Sequence, residues 1–260
     1  MANMLPAIFF GHGNPMNALT SNSYTEAWRR IGQETSKPKA ILSISAHWYV
    51  PETGVTVTTA PRTIHDFGGF PQELYQVQYP APGDPALARR VQKLLAPLEV
   101  KLDNSWGLDH GTWSVLRHVY PAADVPVVQL SIDETKPASF HFEIGKKLAP
   151  LRDEGVLIVG SGFLTHGLPF VHDYFLGKPG APQWSIDFDQ WATEALNGGD
   201  LDTLFAFREK APGMPYAHPT VEHFAPIFVT LGAAAKPDDS PDFTIEGYFY
   251  GLSKRSFEAR

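Results

Sequence analysis

The sequence predicts a single α/β domain spanning residues 1–260, with a central mixed β-sheet flanked by helices. Short apolar runs alternate with amphipathic helical patterns, which is typical of such domains. The chain is 43% hydrophobic and 12% aromatic, and no linker, repeat or low-complexity tract divides it. A chain of 260 residues is also long enough to bury a sizeable core without disulfides.

Apolar runs of strand length recur along the chain, bounded by glycine, proline and polar residues. The predicted strands are Leu5–Phe10, Ala40–Ser45, Val55–Thr59, Val125–Ile132, Val156–Gly160 and Phe243–Tyr250. In sheets with helical crossovers, ligands bind outside the carboxyl ends of the strands. Polar side chains that follow these strands are therefore candidates for one shared site.

Between the strands, apolar residues recur at helical spacing. Tyr24, Trp28 and Ile31 share one face of a first helix, and Asp84-Pro85 opens another with an N-cap and a proline at the first helical position. The remaining predicted helices carry Phe140, Ile144 and Leu148, span Trp184–Leu196, and run from Pro219 to Gly232.

Composition argues against several classes of protein. The net charge is −7 and no basic run exceeds Lys146-Lys147, which disfavours nucleic-acid binding. Without cysteine the chain has no disulfide, iron–sulfur cluster or thiolate zinc site. The N-terminus lacks a basic n-region, and no apolar stretch approaches the ~18 residues of a membrane span. We expect a soluble, cytoplasmic protein with no membrane partner.

Three histidines stand at the ends of predicted strands. His12 lies between Gly11 and Gly13, His47 follows "ILSISA", and His166 follows the glycine-rich end of "VLIVGSGFLTH". Their placement predicts one site in which His12 and His47 are metal ligands. Whether His166 is a ligand or a base stays open on spacing alone.

Two further histidines lie in "YAHPTVEHFAP", residues 216–226. His223 is expected in the first helical turns, where the helix dipole disfavours imidazolium and a metal ligand must be neutral. His218 precedes a proline and is therefore expected in the segment that leads into the helix. There it would contact a metal ligand or the substrate. Glu222 would point about 100° away from His223 around the helix. It could be a ligand only if His223 is not.

The segment "WGLDHGTW" places His110 in a loop between two tryptophans. Either the segment is a tight turn packed by aromatic side chains, or His110 is a proton donor or a substrate contact. His118, His141 and His172 are expected to be structural, whereas His65 stays open. His65 begins residues 65–85, which are rich in glycine, proline and aromatic residues. We expect this segment to be an ordered cover.

Motifs for other chemistries do not occur. There is no H-E-x-x-H, no G-x-S-x-G, and no G-x-G-x-x-G or Walker pattern after a strand. Peptidase, nucleophile-elbow, nicotinamide and nucleotide chemistry therefore lose support, and no organic cofactor is expected. Histidine-only ligation fits zinc or non-haem Fe(II).

Six blocks resemble a known family, in order and over nearly the whole chain: "GHGNP", "ISAHW", "HDFGGFPQELYQVQYPAPG", "DHGTW", "GSGFLTH" and "HPTVEHFAP". Together they resemble the LigB-like class III extradiol ring-cleavage dioxygenases, most closely the 4,5-DOPA dioxygenase-like branch. The resemblance implies a LigB-like domain that opens the ring of a DOPA-like catechol with dioxygen.

The resemblance also implies roles for the histidines. His12, His47 and His223 would hold a divalent metal, and His166 would be the active-site histidine that some members also use as a fourth ligand. His110 would contact substrate or dioxygen. Better-known members bind Fe(II) through two histidines and a glutamate, whereas a histidine matches the third position here. Fe(II) and Zn(II) both remain candidates.

Substrate contacts are expected from the cover segment, where Phe67, Phe70 or Tyr75 would pack against the catechol ring. His218 is a further candidate contact. Two alternatives remain: a zinc-dependent hydrolase with His166 or His110 as base, and a non-catalytic metal-binding or interaction protein. The sequence does not predict the oligomeric state or the physiological catechol.

Overall fold

The computed structural model of the chain describes residues 4–234 and 240–260, and its strands form a large sheet and a separate hairpin. The strands are β1 (Ala7–Gly11), β2 (Ala40–Val50), β3 (Gly54–Thr56), β4 (Lys101–Asp103), β5 (Val127–Asp133), β6 (Val156–Gly162), β7 (Asp242–Ile245), β8 (Tyr248–Phe249), β9 (Leu252–Ser253) and β10 (Ser256–Ala259). The sheet has the order β4-β3-β5-β2-β6-β1-β10-β7, and β8 pairs with β9.

Helices lie on both faces of the sheet. They are α1 (Ser23–Glu34), α2 (Gln72–Tyr75), α3 (Pro85–Leu95), α4 (His110–Val119), α5 (Ala138–Leu148), α6 (Pro150–Asp153), α7 (His172–Phe175), α8 (Gln183–Asn197), α9 (Leu201–Phe205), α10 (Phe207–Lys210) and α11 (Ala225–Ala233). Short 3-10 helices cover Pro15–Ala18 and Leu168–Phe170. Within the described ranges, no helix is long and apolar enough to cross a membrane.

The centre of the sheet is parallel. Strands β5, β2, β6 and β1 pair in parallel, whereas β10 is antiparallel to β1 and β3 is antiparallel to β5. Gly11 is level with Gly162, so the carboxyl ends of β1 and β6 lie side by side. The predicted α/β class with a mixed sheet flanked by helices is confirmed.

Side chains of the central strands alternate between two cores. On one face, Ile8 and Phe10 of β1 belong to a cluster that contains Trp28 of α1. On the other face, Ala7 belongs to a cluster with Val91 of α3 and residues of α5 and α11. Burial of both faces explains why the central strands read as continuous apolar runs.

The predicted strands differ from the observed ones by a few residues at most ends, and two of them differ more. The strand predicted over Phe243–Tyr250 is divided into β7 and β8, because Gly247 adopts a positive φ of 104° between them. The predicted strand Ala40–Ser45 continues to Val50, with an irregular register between Ile44 and Tyr49. His47 therefore lies inside an irregular strand, a feature that commonly re-aims side chains beside active sites.

One helix prediction is wrong at its start, and one segment predicted as a loop begins a helix. The helix predicted from Pro219 begins at Ala225, because the preceding backbone bonds instead to the chain after β6. His166 N donates to Ala217 O at 2.7 Å, and Phe163 N donates to His223 O at 2.9 Å. The segment around His110, predicted as a loop, begins α4.

A buried ion pair attaches the carboxyl-terminal strands to α8. Arg255 donates from Nε and Nη2 to the two carboxylate oxygens of Asp189, each at 2.9 Å, and both side chains are 10% exposed. Ser253 Oγ donates to the same carboxylate at 2.6 Å. The pair therefore leaves little of either charge in water.

We expect Asp189→Asn to lower the free energy of unfolding by about 3 kcal/mol, because it removes the buried carboxylate that pairs with Arg255. The remaining carboxylate is that of Glu246, whose Oε2 lies 3.5 Å from Arg255 Nη1 and whose side chain is exposed. Urea unfolding measures the change. The matched control is Asp187→Asn on the same helix. The Asp187 carboxylate accepts a hydrogen bond from Gln183 near the surface, so this variant should change the free energy of unfolding by no more than about 0.5 kcal/mol. Equal losses in the two variants would contradict the role assigned to the pair.

Candidate active site

A cavity of about 450 Å³ opens at the carboxyl edge of the parallel strands. Five of the ten histidines line it: His12, His47, His110, His166 and His223. The other lining residues are Gly13, Asn14, Pro15, Phe67, Phe70, Phe163, Leu168, Phe175, Phe249, Tyr250 and Leu252. A concave, mainly apolar space with convergent polar groups is the usual form of a small-molecule site.

Two glycines allow His12 to turn into this cavity from the end of β1. A Cβ on Gly11 would lie 2.8 Å from the backbone oxygen of Lys254. Gly13 has a φ of +76°, and a Cβ there would lie 2.6 Å from Lys254 Nζ and Asn17 Nδ2. Glycine is the residue that accepts both a close backbone approach and a positive φ. The G-H-G pattern therefore has a local structural reason.

Each of three histidines has its Nδ1 atom held by a neighbour. His12 Nδ1 lies 3.0 Å from Ser161 Oγ, and that hydroxyl donates to Gly111 O, so it accepts from His12 Nδ1–H. His47 Nδ1 lies 3.3 Å from a carboxylate oxygen of Asp66. His223 Nδ1 lies 3.0 Å from Glu222 Oε1. The hydrogen bonds of His12 and His223 select the tautomer whose Nε2 carries the free lone pair, and the nearby Asp66 carboxylate favours the same tautomer of His47.

The Nε2 atoms of the same histidines face common space. Those of His12 and His47 are 3.2 Å apart. His223 Nε2 is buried with no hydrogen-bond partner among the described residues. Its ring centroid lies 5.3 Å from that of His12 and 5.0 Å from that of His47. A buried nitrogen without a hydrogen-bond partner, on a ring next to two histidines whose Nε2 atoms are close together, fits a bound cation, so the residues present fit the expected metal.

The potential donor atoms form two adjacent groups, each within 4.8 Å. One group contains His12, His47 and His110, and the other contains His166, Glu222 and His223. The ligand set predicted from the sequence takes His12 and His47 from the first group and His223 from the second. Because Glu222 Oε1 already accepts from His223 Nδ1, its carboxylate serves as an outer partner in this arrangement.

Burial lowers the pKa of His12, His47 and His223 well below the usual 6.5, and the charges of neighbouring histidines lower it further. Burial and the charge of His223 likewise lower the pKa of His166. A metal competes with protons for these nitrogens, so neutral imidazoles at near-neutral pH favour binding.

The same pKa shifts predict an acid-sensitive metal-free protein. Below pH 6.5 the unfolded chain binds more protons than the native state, so the free energy of unfolding falls as pH falls. We expect a slope of up to about 1.4 kcal/mol per pH unit for each such histidine. Urea unfolding in chelator at pH 5 to 8 measures it. Stability that does not change below pH 6.5 would contradict the buried neutral cluster.

His110 is the first residue of α4, and its ring faces the cavity. Asp66 accepts from the His110 backbone N–H at 2.9 Å and lies 3.0 Å from its Nδ1. Burial alone would raise the pKa of Asp66, but the His110 hydrogen bonds and charge lower it overall. Asp109 caps the helix, and burial followed by the charge of Asp66 raises its pKa to about 6. Between pH 3.8 and about 6 the native Asp109 keeps a proton that the unfolded chain has lost, which opposes the stabilising effect of deprotonating the histidines over that range.

His166 lies against His223, with ring centroids 3.3 Å apart and planes 15° from parallel. Its Nδ1 is 4.0 Å from Glu222 Oε1. Its side chain is 16% exposed, so it is in contact with both the histidine cluster and the open part of the cavity. That position suits either a fourth ligand or a base.

Some of the predicted substrate contacts line the cavity and others do not. Phe70 and the neighbouring Phe67 line the cavity, whereas Tyr75 lies behind Phe67 at a centroid distance of 5.2 Å. His218 is buried away from the cavity wall, with Nε2 2.8 Å from Leu164 O. His65 Nε2 lies 2.9 Å from Val77 O. For Tyr75 and His218, a substrate role stays a prediction.

Sequence reasoning did not assign Ser161 and Asp66, and it placed Glu222 away from His223. The available signals were the adjacency of Glu222 to His223 in "EH", the place of Asp66 in the predicted cover segment, and the polar serine inside the apolar run of β6. The sequence also gave no sign of Lys254, which is fully buried behind Gly13 with its Nζ 4.6 Å from the Trp28 ring. Burial lowers the pKa of this lysine well below its usual value.

Fold and site together define an α/β protein with a histidine-rich, metal-type centre at the carboxyl edge of its parallel strands. Residues 7–251 match the family described as the catalytic LigB subunit of aromatic ring-opening dioxygenases. The chain belongs to this family. It is an enzyme of the extradiol dioxygenase class, which favours ring cleavage over the hydrolase and non-catalytic alternatives.

The names of relatives agree with this assignment, and a solved structure shares the fold. The chain is 48% identical to a 4,5-DOPA dioxygenase extradiol of Escherichia coli, over 88% of this chain and 85% of that protein. It is 43% identical to a protein of the same name from Beta vulgaris, over 90% and 88%. The crystal structure of an uncharacterized Escherichia coli K12 protein matches with a TM-score of 0.84 and 40% identity, covering 98% of this chain and all of that one.

Proposed function

We propose that this chain binds one divalent metal ion through the Nε2 atoms of His12, His47 and His223 and opens a catechol ring beside its diol with dioxygen. The observation that carries the metal assignment is shared by the three imidazoles. Each Nδ1 has a polar partner within 3.3 Å, the Nε2 atoms of His12 and His47 are 3.2 Å apart, and the Nε2 of the neighbouring His223 is buried with no hydrogen-bond partner among the described residues. Membership of the ring-opening family supports the reaction.

Three neutral imidazoles suit both Fe(II) and Zn(II). We assign Fe(II) to the reaction, because zinc has no redox chemistry and cannot activate dioxygen. When bound, the ion supplies a place for the catechol oxygens and dioxygen to meet and lets electron density pass between them. Zn(II) would occupy the same ligands without supporting this reaction.

His166 is proposed to take a proton from a catechol hydroxyl. It lines the cavity beside His223, and its lowered pKa keeps the imidazole neutral and able to accept at neutral pH. Should it also ligate, it would complete a four-histidine shell. His110 is proposed to contact substrate or dioxygen, because its Nδ1 is held by Asp66 while its ring lines the cavity.

Phe67 and Phe70 are proposed to pack against the catechol ring and to exclude water. Their ring centroids are 5.3 Å apart, and Phe67 lies 5.5 Å from the ring of His110. The two side chains hold the substrate between the cover segment and the histidines. The names of the bacterial and plant relatives make DOPA the first catechol to test.

The deciding experiment is anaerobic reconstitution of the metal-free protein with Fe(II) and, separately, with Zn(II). Dioxygen uptake and visible absorbance are followed after adding DOPA or catechol in aerated buffer. We expect uptake and a rising yellow product only in the iron form. Tight stoichiometric zinc binding, with no uptake by the iron form across a panel of catechols, would reject the proposal.

A further inference from the structure

The outer part of the active-site cavity is walled by large apolar side chains that remain in contact with solvent. Leu168, Phe175 and Tyr250 line the cavity and are 45%, 43% and 40% exposed. Phe249 and Leu252 also line the cavity, and Leu252 is buried at 3% exposure. Within the described ranges, the cavity wall contains no lysine, arginine, aspartate or glutamate. The five apolar side chains named above, Leu168, Phe175, Phe249, Tyr250 and Leu252, are called the apolar rim.

Tyr250 joins the apolar rim from a conformation that tyrosine rarely adopts. It connects β8 to β9 through a two-residue turn with Gly251, and the φ angles are +50° and +80°. Positive φ at both positions is the pattern of a type I′ hairpin turn, where asparagine and glycine are preferred. A bulky residue held there points to a functional reason.

The strained turn places the Tyr250 ring among other aromatic rings of the mouth. Its centroid lies 4.7 Å from that of Phe175 and 4.4 Å from that of Phe249. The opposite end of the cavity is formed by buried histidines, His12 at 1% and His223 at 4% exposure. The cavity therefore runs from a polar, buried end to an apolar, open one.

A catechol whose oxygens lie at the histidines would direct a ring substituent toward this open end. The cavity volume of about 450 Å³ is that of a site for a drug-sized ligand rather than for a bare ring. A charged substituent would lose water at the apolar rim and meet aromatic and aliphatic carbon there. An alkyl or aryl substituent would instead cover carbon surface that is now exposed.

We propose that, if the ring-cleavage function above holds, the preferred substrate is a catechol with a neutral apolar substituent that packs on the rim of Leu168, Phe175, Phe249, Tyr250 and Leu252. The inference rests on that proposed function and narrows its substrate class. A zwitterionic amino-acid substituent such as that of DOPA fits this surface less well.

The test compares kcat/KM of the Fe(II)-loaded enzyme for catechol, 4-methylcatechol, 4-propylcatechol, dopamine and DOPA. We expect a rise of about two- to fourfold for each added methylene. 4-Propylcatechol should exceed DOPA by about tenfold or more. Equal or better turnover of DOPA overturns the inference while leaving ring cleavage intact. A preference for dopamine would also overturn it, because the aromatic rim would then bind a cation.

Binding separates this inference from the proposed reaction. Calorimetric titration of the Zn(II)-loaded protein with the same five compounds should rank them in the same order, because it requires no turnover. If no catechol is cleaved with iron, the proposed function fails, and the binding order still decides whether the rim selects apolar groups. Equal affinities for 4-propylcatechol and DOPA would reject that selection.

Tyr250→Asn tests the rim itself. Asparagine accepts the positive φ more readily than tyrosine, so the variant should fold with an equal or higher melting temperature. The preference for 4-propylcatechol over catechol should fall by about tenfold. Phe170→Ala is the control, since Phe170 is 44% exposed nearby but packs on Tyr216 outside the cavity wall. An unchanged preference in Tyr250→Asn would contradict the proposal.

Discussion

His12→Ala is expected to abolish stoichiometric metal binding and, with it, ring-cleaving activity. The His12 imidazole lies at the middle of the cluster, with Nε2 3.2 Å from that of His47 and its ring 5.3 Å from that of His223. Loss of an outer partner of a ligand typically costs 10- to 100-fold in metal affinity. Loss of a ligand should therefore weaken binding by more than about 100-fold.

Metal content after dialysis and calorimetric titration with Zn(II) measure this effect. Unfolding gives a second readout. Zn(II) at about 1,000 times its Kd should raise the free energy of unfolding of the unmodified protein by about 4 kcal/mol, and by little in the variant.

His141→Ala is the matched control for the His12 variant. His141 is also buried, at 5% exposure, but it lies on α5 outside the cluster. We expect this variant to bind metal as the unmodified protein does. Retention of stoichiometric metal by His12→Ala would remove His12 from the ligand set.

The sequence predicted the part of the site that depends on strand ends. His12 and His166 follow β1 and β6, and the pairing of Gly11 with Gly162 places those two ends level with each other. This outcome needs only that the strands be parallel, which the alternation of strands and helices indicated.

His223 reaches the site for a reason that differs from the predicted one. The prediction placed it in the first turns of a helix, where Glu222 would point about 100° away. The residues before α11 instead bond to the chain after β6, so the Glu222 carboxylate is free to turn to the Nδ1 of its neighbour. Local helical geometry could not reveal this, because a non-local backbone contact decides the conformation.

The partners of the other histidines depend on still longer separations. Asp66 contacts His110 across 44 residues and Ser161 contacts His12 across 149. The strand β10 was likewise missed, because "SFEA" is short and has no apolar run. It forms since β1 has an open edge and Ser256 Oγ accepts a bond from Gly11 N. Pairing of this kind is a property of the assembled sheet.

His166→Gln is expected to lower kcat by about 10²- to 10⁴-fold while leaving the metal in place, the range that removal of a general base produces. The amide keeps much of the volume of the imidazole against His223 but accepts no proton near neutral pH. Stopped-flow measurement of catechol consumption, with metal content determined on the same sample, gives both quantities. Loss of metal together with activity would place His166 among the ligands instead.

Glu222→Gln distinguishes the base from the outer partner of a ligand. The Glu222 carboxylate lies 4.0 Å from His166 Nδ1 and 3.0 Å from His223 Nδ1, and its charge raises the proton affinity of His166 against the stronger effect of burial. Without that charge, the hydrogen bond that the side chain at position 222 accepts from His223 Nδ1 becomes a weaker, neutral one, so metal affinity should fall by about 10- to 100-fold. The two variants should therefore differ in kind: one reduces kcat at full metal occupancy, and the other reduces occupancy itself. Only a site in which His223 ligates and His166 moves the proton accounts for that separation.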